Sequence, residues 1–226
     1  MVGFLFLLAL ISIHLGSPLS PSSQGNSLLE EPLCVENSPE RKGEFGCSIV
    51  EDKTLPDKTK DPVVWHIDRF TNSEAAKAAV GTASVAFEAH GSWWLMSVER
   101  DNNDHHGGEH VAAVKLSPLP SASKLSMRVL SAYIPSGMTS RVHFHSGVEA
   151  FYTVDGEQCL QTPDKAYHLR RGDTLVIPTG VTMRIIAIGD KPRRAFGLIV
   201  YDSAKPPTTR MPMDTASQLA SCQEPK

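Results

Sequence analysis

The stretch GMTSRVHFHSGVEAFYTVDG, residues 137–156, decides the fold and the candidate site of this chain. Residues two apart in a β-strand point to the same face, so His143 and His145 project together if the run is extended. Glu149 follows four residues later, beyond a Ser-Gly break that can turn the chain. Two imidazoles and one carboxylate that converge on one point form a ligand set for a divalent transition metal, with positions left open for water or substrate.

Strand signals continue on both sides of this stretch, and turn residues separate them. Short β-branched or aromatic runs at this spacing predict an all-β sandwich or barrel. The predicted strands are 125–135, 141–145, 148–154, 157–161, 166–169, 174–177, 182–188 and 194–201. Asp155-Gly156 is a hairpin signal, because this dipeptide readily adopts the tight turn between paired strands.

The spacing within the stretch resembles the first motif of the cupin superfamily. The chain has a residue of the required type at every fixed position of that motif: Gly137, His143, His145, Glu149 and Gly156. The second motif is kept only in its first half, which comprises Gly172, Pro178 and Gly180. Met183 then stands where the family has a histidine, and Ala187 where it has an asparagine. The resemblance implies a jelly-roll β-barrel with a metal site inside it.

The two histidines and the glutamate of the first motif are implied as ligands of Fe, Mn, Zn, Cu or Ni, and the residues do not decide which. Met183 would offer a soft thioether as the fourth ligand, which suits copper and is poor for iron, manganese or zinc. Gln158 is a further candidate position, on the strand after the predicted hairpin, and His168 is another inward candidate. Arg141 and Tyr152 flank the ligands, and we expect them to face outward.

The chain as a whole is predicted to be mainly β, a cupin-type jelly-roll barrel preceded by a small α+β segment. The expected parts are a signal peptide at 1–25, an irregular arm or linker at 26–60, a small α+β extension at 61–118, the barrel at 119–203 and a C-terminal tail at 204–226. Within the extension, Thr71 and Glu74 fit a capping box at the start of a helix. His90-Gly91 is predicted to join two strands there as a hairpin.

The apolar run from Val2 to Leu15 is too short to span a bilayer and leads into a Ser/Pro/Gly stretch. This layout predicts a signal peptide and a secreted or periplasmic protein without a stable membrane span in the mature chain. A buried N-terminal helix is the alternative. In an exported chain the four cysteines are disulfide candidates with three possible connectivities, and separate thiols are the alternative. They are Cys34, Cys47, Cys159 and Cys222.

The net charge of −3 over 226 residues gives no electrostatic basis for nucleic-acid binding. The expected partner is a small-molecule ligand or substrate, and a homodimer is a candidate assembly. Two functions are compatible with the residues. The first is a metal-dependent small-molecule oxidoreductase of dioxygenase type, and the second is a non-catalytic cupin that binds a small ligand or serves as a stable exported protein. Because one fold hosts many functions, the motif does not decide whether the chain is an enzyme.

Overall fold

A computed structural model describes residues 35–36, 46–57, 59, 62–100 and 107–222. The described chain is mainly β-structure, as predicted. Its strands are β1 Val35–Glu36, β2 Gly46–Thr54, β3 Val63–Phe70, β4 Ser84–Ala89, β5 Ser92–Glu99, β6 Glu109–Leu116, β7 Leu125–Ile134, β8 His143–His145, β9 Gly147–Asp155, β10 Glu157–Gln161, β11 Ala166–Arg170, β12 Thr174–Ile177, β13 Arg184–Ile188, β14 Arg193–Asp202 and β15 Thr208–Arg210. The helices are α1 Ser73–Ala78 and a 3₁₀ helix at Met213–Gln218.

Two sheets enclose the interior of the jelly-roll barrel. The larger sheet has the strand order β1-β2-β7-β14-β9-β12, and the smaller has the order β11-β10-β13. Phe151 from the larger sheet packs with Leu160 and Ile185 from the smaller one, which closes one part of the interior with apolar side chains. The short strand β8 pairs with β15, which brings the C-terminal segment beside the two histidines.

Alternate residues of the larger sheet serve two different layers. On β9, Glu149 and Phe151 point into the barrel, whereas Val148, Ala150 and Tyr152 belong to a core on the opposite face. That core is shared with a second sheet of order β4-β5-β3-β6. The period of two in a strand therefore separates the residues that shape the barrel interior from those that hold the layers together.

The N-terminal α+β segment contributes this second sheet, and the larger part of its apolar residues packs in a core that it shares with the barrel. Phe87 and Trp94 pack against Phe196 of the barrel, which gives the two layers one hydrophobic core. The helix α1 begins one residue later than a cap at Thr71 predicts, because Asn72 accepts a hydrogen bond from the Ala75 amide at 2.9 Å. An N-cap asparagine satisfies a free amide of the first turn in the same way as a capping threonine.

Two predictions about the chain path are wrong. Residues 46–54 fall within the predicted irregular arm, yet they form β2 and pair with β7 over its length. Asp155-Gly156 does not close a hairpin, because β9 pairs with β12 and β14 while β10 pairs with β11 and β13. The dipeptide instead carries the chain from one sheet to the other. Gly156 has φ 72°, and a Cβ there would lie 2.5 Å from the Pro192 carbonyl oxygen, so the corner requires glycine.

The His90-Gly91 turn does join β4 and β5, and both residues have positive φ, 51° and 77°. These angles match the type I′ turn that suits the twist of a hairpin. Among the described residues, no helix is long and apolar enough to cross a membrane. The predicted signal peptide at 1–25 lies outside the described residues.

Candidate metal site

The structure brings His143, His145 and Glu149 together inside the barrel. One ligand atom of each lies within 4.8 Å of the other two. Strand β8 supplies both histidines and β9 supplies the glutamate, with Gly147 at the junction. A Cβ on Gly147 would lie 1.9 Å from the Val200 carbonyl oxygen, so only glycine lets β9 approach β14 closely enough to turn Glu149 back toward the histidines.

Each histidine is oriented by a backbone carbonyl. Nδ1 of His143 lies 2.7 Å from the Arg141 carbonyl oxygen, and Nδ1 of His145 lies 3.0 Å from that of Pro207. A carbonyl only accepts hydrogen bonds, so both Nδ1 atoms donate and both Nε2 atoms carry a lone pair in the neutral ring. Metal-binding histidines are commonly fixed in this way through the nitrogen that does not bind the metal.

Nε2 of His145 and Oε2 of Glu149 lie 2.9 Å apart in the barrel interior. Both atoms are buried, and neither has a hydrogen-bond partner within the described part of the chain, because the approach between them lacks hydrogen-bond geometry. Two buried lone-pair atoms at this distance repel each other unless a proton or a metal cation lies between or beside them. A divalent ion bound to both atoms removes this penalty, so the pair fits a metal site.

The electrostatics of the two histidines differ. Burial lowers the pKa of His143, and the neighbouring His145 lowers it further, which keeps the ring neutral and able to bind a metal. Burial also lowers the pKa of His145, but the Glu149 carboxylate outweighs that effect and raises the pKa above its ordinary value. A proton and a metal ion therefore compete for the space between His145 and Glu149.

Met183, which stands at the histidine position of the second motif, lies across from His143 in the structure. It forms an antiparallel bridge with His143, so the two side chains share a face. Its side chain is 1% exposed and packs with Phe151 and Leu160 in the apolar part of the barrel. The site therefore has three protein ligands of the kinds that hard or borderline divalent ions prefer, with a thioether beside them.

The other candidate positions lie apart from the three ligands. Gln158 is fully buried, but its amide donates to Thr153 at 3.3 Å and its carbonyl oxygen accepts from Nε of Arg193. His168 is not inward: it stands opposite Cys159 on the outer face and lies 2.5 Å from Glu157. Neither residue is available as a ligand.

The predicted outward direction is wrong for Arg141 and right for Tyr152. Arg141 lines the same cavity as the histidines, because residues two apart share a face and Arg141 precedes His143 by two. Tyr152 alternates with Phe151 and packs in the core between the layers.

The C-terminal segment completes the site, which the sequence did not indicate. In the β8–β15 ribbon, Thr208 pairs with His145 and Arg210 pairs with His143. The Thr208 hydroxyl lies 3.1 Å from Nδ1 of His145, beside the Pro207 carbonyl. Nothing in the Pro- and Thr-rich composition of this tail indicates a strand, and only the pairing reveals its role.

A cavity of about 130 Å³ adjoins the three ligands. Part of its wall is apolar, formed by Leu130, Ala132, Phe151, Ile185 and Ile199. Four arginines also line it: Arg128, Arg141, Arg193 and Arg210. Glu149 is the one acidic residue among the described lining residues. A candidate metal site beside a partly apolar cavity suits a small organic ligand.

Two of the disulfide candidates are joined to each other. Cys159 on β10 and Cys222 in the tail form a disulfide that closes a separation of 63 residues. Cys47, which lines the cavity, is also disulfide-bonded. Cys34 lies outside the described residues. Hydrogen bonds between the tail and strand β10 add to the first tether, since Gln161 donates to the Ala220 carbonyl at 2.7 Å.

The family model described as a cupin domain matches residues 129–201. This range contains both ends of the first motif, β8 and β9, and the position of Met183. Residues 129–201 are thus a cupin domain, as the sequence resemblance predicts. The curated proteins contain no match to the chain.

Several solved structures are similar to the barrel. The DMSP lyase DddQ from Ruegeria pomeroyi is 20% identical, with 37% of this chain and 42% of the lyase covered and a TM-score of 0.33. A cupin-like protein from Thermotoga maritima is 20% identical, with 42% and 69% covered and a TM-score of 0.35. The polyketide cyclase RemF from Streptomyces resistomycificus is 19% identical, with 38% and 59% covered and a TM-score of 0.31. The chain thus spans less than half the length of the lyase.

Proposed function

We propose that the chain is a metal-dependent cupin enzyme that acts on a small organic molecule, with a dioxygenase-type oxidation as the reaction class. The observation that carries the proposal is the buried pair of Nε2 of His145 and Oε2 of Glu149, which lack hydrogen-bond partners among the described residues. An unpaired buried polar atom is costly, and such costs concentrate at functional sites.

His143, His145 and Glu149 would hold the ion. A metal with two histidines, one carboxylate and open positions supplies the coordination chemistry of non-haem iron oxygenases when it is bound. Other residues of this chain orient the ligands and shape the space around the ion. The Arg141 and Pro207 carbonyls fix the imidazoles, and the apolar wall limits the access of water to the organic ligand.

The test combines metal content with oxygen consumption. We expect native protein, mildly purified, to contain close to one equivalent of a transition metal, and iron-loaded protein to consume oxygen with one member of a panel of small organic acids and aromatics. Glu149→Gln keeps the size of the side chain and removes its charge, so it should lose both properties. Absence of metal in the native protein and after reconstitution overturns the proposal.

The second candidate is a non-catalytic cupin that binds a small ligand. Met183 favours it, because a buried thioether replaces the imidazole of the family motif and leaves the ion with one strong ligand fewer. A protein that binds metal and a small organic molecule but shows no turnover with any metal or substrate tested would support this alternative.

We further propose that the protein is exported. The apolar start followed by a small-residue stretch supports export, and so do the disulfides of Cys47 and of Cys159 with Cys222, since disulfides persist in oxidising compartments. Intact-mass measurement of native protein should find about the first 20–25 residues removed. A native chain that retains Val2 to Leu15 overturns this proposal.

A further inference from the structure

We infer that the barrel cavity selects an organic anion, and that Arg210 on β15 is the residue that receives its carboxylate. The inference rests on the proposed function to the extent that both use the same cavity. It adds the chemical class of the ligand, and it can hold even if no reaction occurs. The charge of the cavity wall and the register of β15 support it.

Among the charged residues that line the cavity, positive side chains outnumber negative ones. Four arginines line the cavity together with one carboxylate, that of Glu149, which would bind the metal. Arg128 donates to Asp52, whose other oxygen accepts a hydrogen bond from Tyr201 at 2.6 Å. Arg193 donates to Gln158, an amide that brings no negative charge. A bound divalent cation would increase the positive potential further.

Arg210 differs from the others in its surroundings. No hydrogen bond or ion pair to its side chain is present among the described residues, and it is exposed at the opening of the cavity. Its position is fixed from the backbone side, because it pairs directly with His143 across the β8–β15 ribbon. Directly paired residues of antiparallel strands project to the same face, so the guanidinium lies on the side of the metal ligands.

The shape of the cavity limits the anion to an amphipathic one. Leu130, Phe151, Ile185 and Ile199 form an apolar wall that an aromatic ring or a short alkyl chain would cover. The guanidinium of an arginine offers two parallel N–H donors that match the two oxygens of a carboxylate. An aromatic or aliphatic monocarboxylate meets both requirements. A neutral hydrocarbon would cover the apolar wall but offers no carboxylate, and a neutral sugar meets neither requirement.

The test compares anions with neutral molecules of the same shape on chelator-treated protein. The probes are benzoate with benzamide and hexanoate with hexanamide, and binding is measured by titration calorimetry at one fixed ionic strength. We expect at least one carboxylate to bind roughly tenfold tighter than its amide, as a charge-assisted hydrogen bond allows. Arg210→Gln should remove most of that preference and leave amide binding within about twofold.

Arg170→Gln is the matched control, because Arg170 is exposed on β11 and is not among the residues that line the cavity. Circular dichroism on both variants verifies the fold. The inference is overturned if neither carboxylate binds, if carboxylates and amides bind alike, or if Arg210→Gln and Arg170→Gln have the same effect. A metal titration of the wild type is made separately, so that failure to bind metal counts against the proposed function and failure to prefer anions counts against this inference.

Discussion

The buried atoms Nε2 of His145 and Oε2 of Glu149 predict that metal binding stabilises the folded chain and that His145→Ala abolishes this effect. An ion that binds only the folded state adds about 2.7 kcal/mol to the free energy of unfolding at 100 times its Kd. In a chain of 226 residues, each 1 kcal/mol raises the Tm by roughly 2–4 °C. The wild type should therefore gain about 5–11 °C under these conditions.

The loss of one ligand reduces this gain to a small fraction. Removing a group that only supports a ligand typically costs about 10–100-fold in metal affinity, so removal of a direct ligand should cost at least about 100-fold. At the same concentration the metal is then about equal to the new Kd, and the stabilisation falls to roughly 0.4 kcal/mol. The expected rise in the Tm of His145→Ala is thus only about 1–2 °C.

The assay is a thermal scan of chelator-treated protein with and without Mn²⁺ or Zn²⁺. Phe144→Leu is the control, because Phe144 lies between the two histidines, pairs with Thr209 and is not among the residues that line the cavity. It should keep the full rise in the Tm. The reasoning is refuted if His145→Ala stays folded and gains as much as the wild type, or if the wild type gains nothing.

Three further changes test other features of the molecule. Met183→His should bind iron or manganese more tightly than the wild type in a metal titration, with Met183→Leu as the size-matched control; equal affinities would contradict a shared face with His143. Burial, together with nearby arginines, lowers the pKa of His90 to about 4. In urea unfolding, the free energy of unfolding of the wild type should therefore fall by at most roughly 3 kcal/mol as the pH falls from about 6.5 to 4. His90→Asn, which keeps the left-handed turn, should lose less, and parallel pH profiles of the two proteins would count against this prediction. Cys159→Ser combined with Cys222→Ser should lower the free energy of unfolding by up to about 4 kcal/mol, given the separation of 63 residues, and expose the tail to proteolysis; an unchanged urea midpoint would argue against tethering.

The barrel and its three ligands were predictable because both depend on local signals. Strand alternation puts His143 and His145 on one face, and the turn residues mark where each strand ends. The sequence also carries the glycine that brings Glu149 back, since Gly147 is the first residue of β9. Arg141 obeys the same alternation, since it precedes His143 by two, and it therefore lines the cavity instead of facing outward as predicted.

The remaining features depend on contacts between distant parts of the chain. Strand β2 has a mixed burial pattern without clear alternation, and its partner β7 lies about 80 residues away. The same is true of β15, which is three residues long and becomes a strand only beside β8. Asp155-Gly156 shows a related limit. A turn dipeptide indicates that the chain changes direction, but not whether the next strand joins the same sheet or the opposite one.

The site is held rigidly because its supporting strands are shared with the largest core of the protein. On β9, the neighbours of Glu149 are Val148 and Ala150, and both are completely or almost completely buried against the N-terminal sheet. The backbone of Glu149 therefore cannot shift away from His145 without disrupting a core built from two sheets. Because the backbone is fixed in this way, the close approach of Oε2 to Nε2 persists in the folded chain, and a cation is needed to stabilise it, either a proton on His145 or a metal ion that displaces that proton.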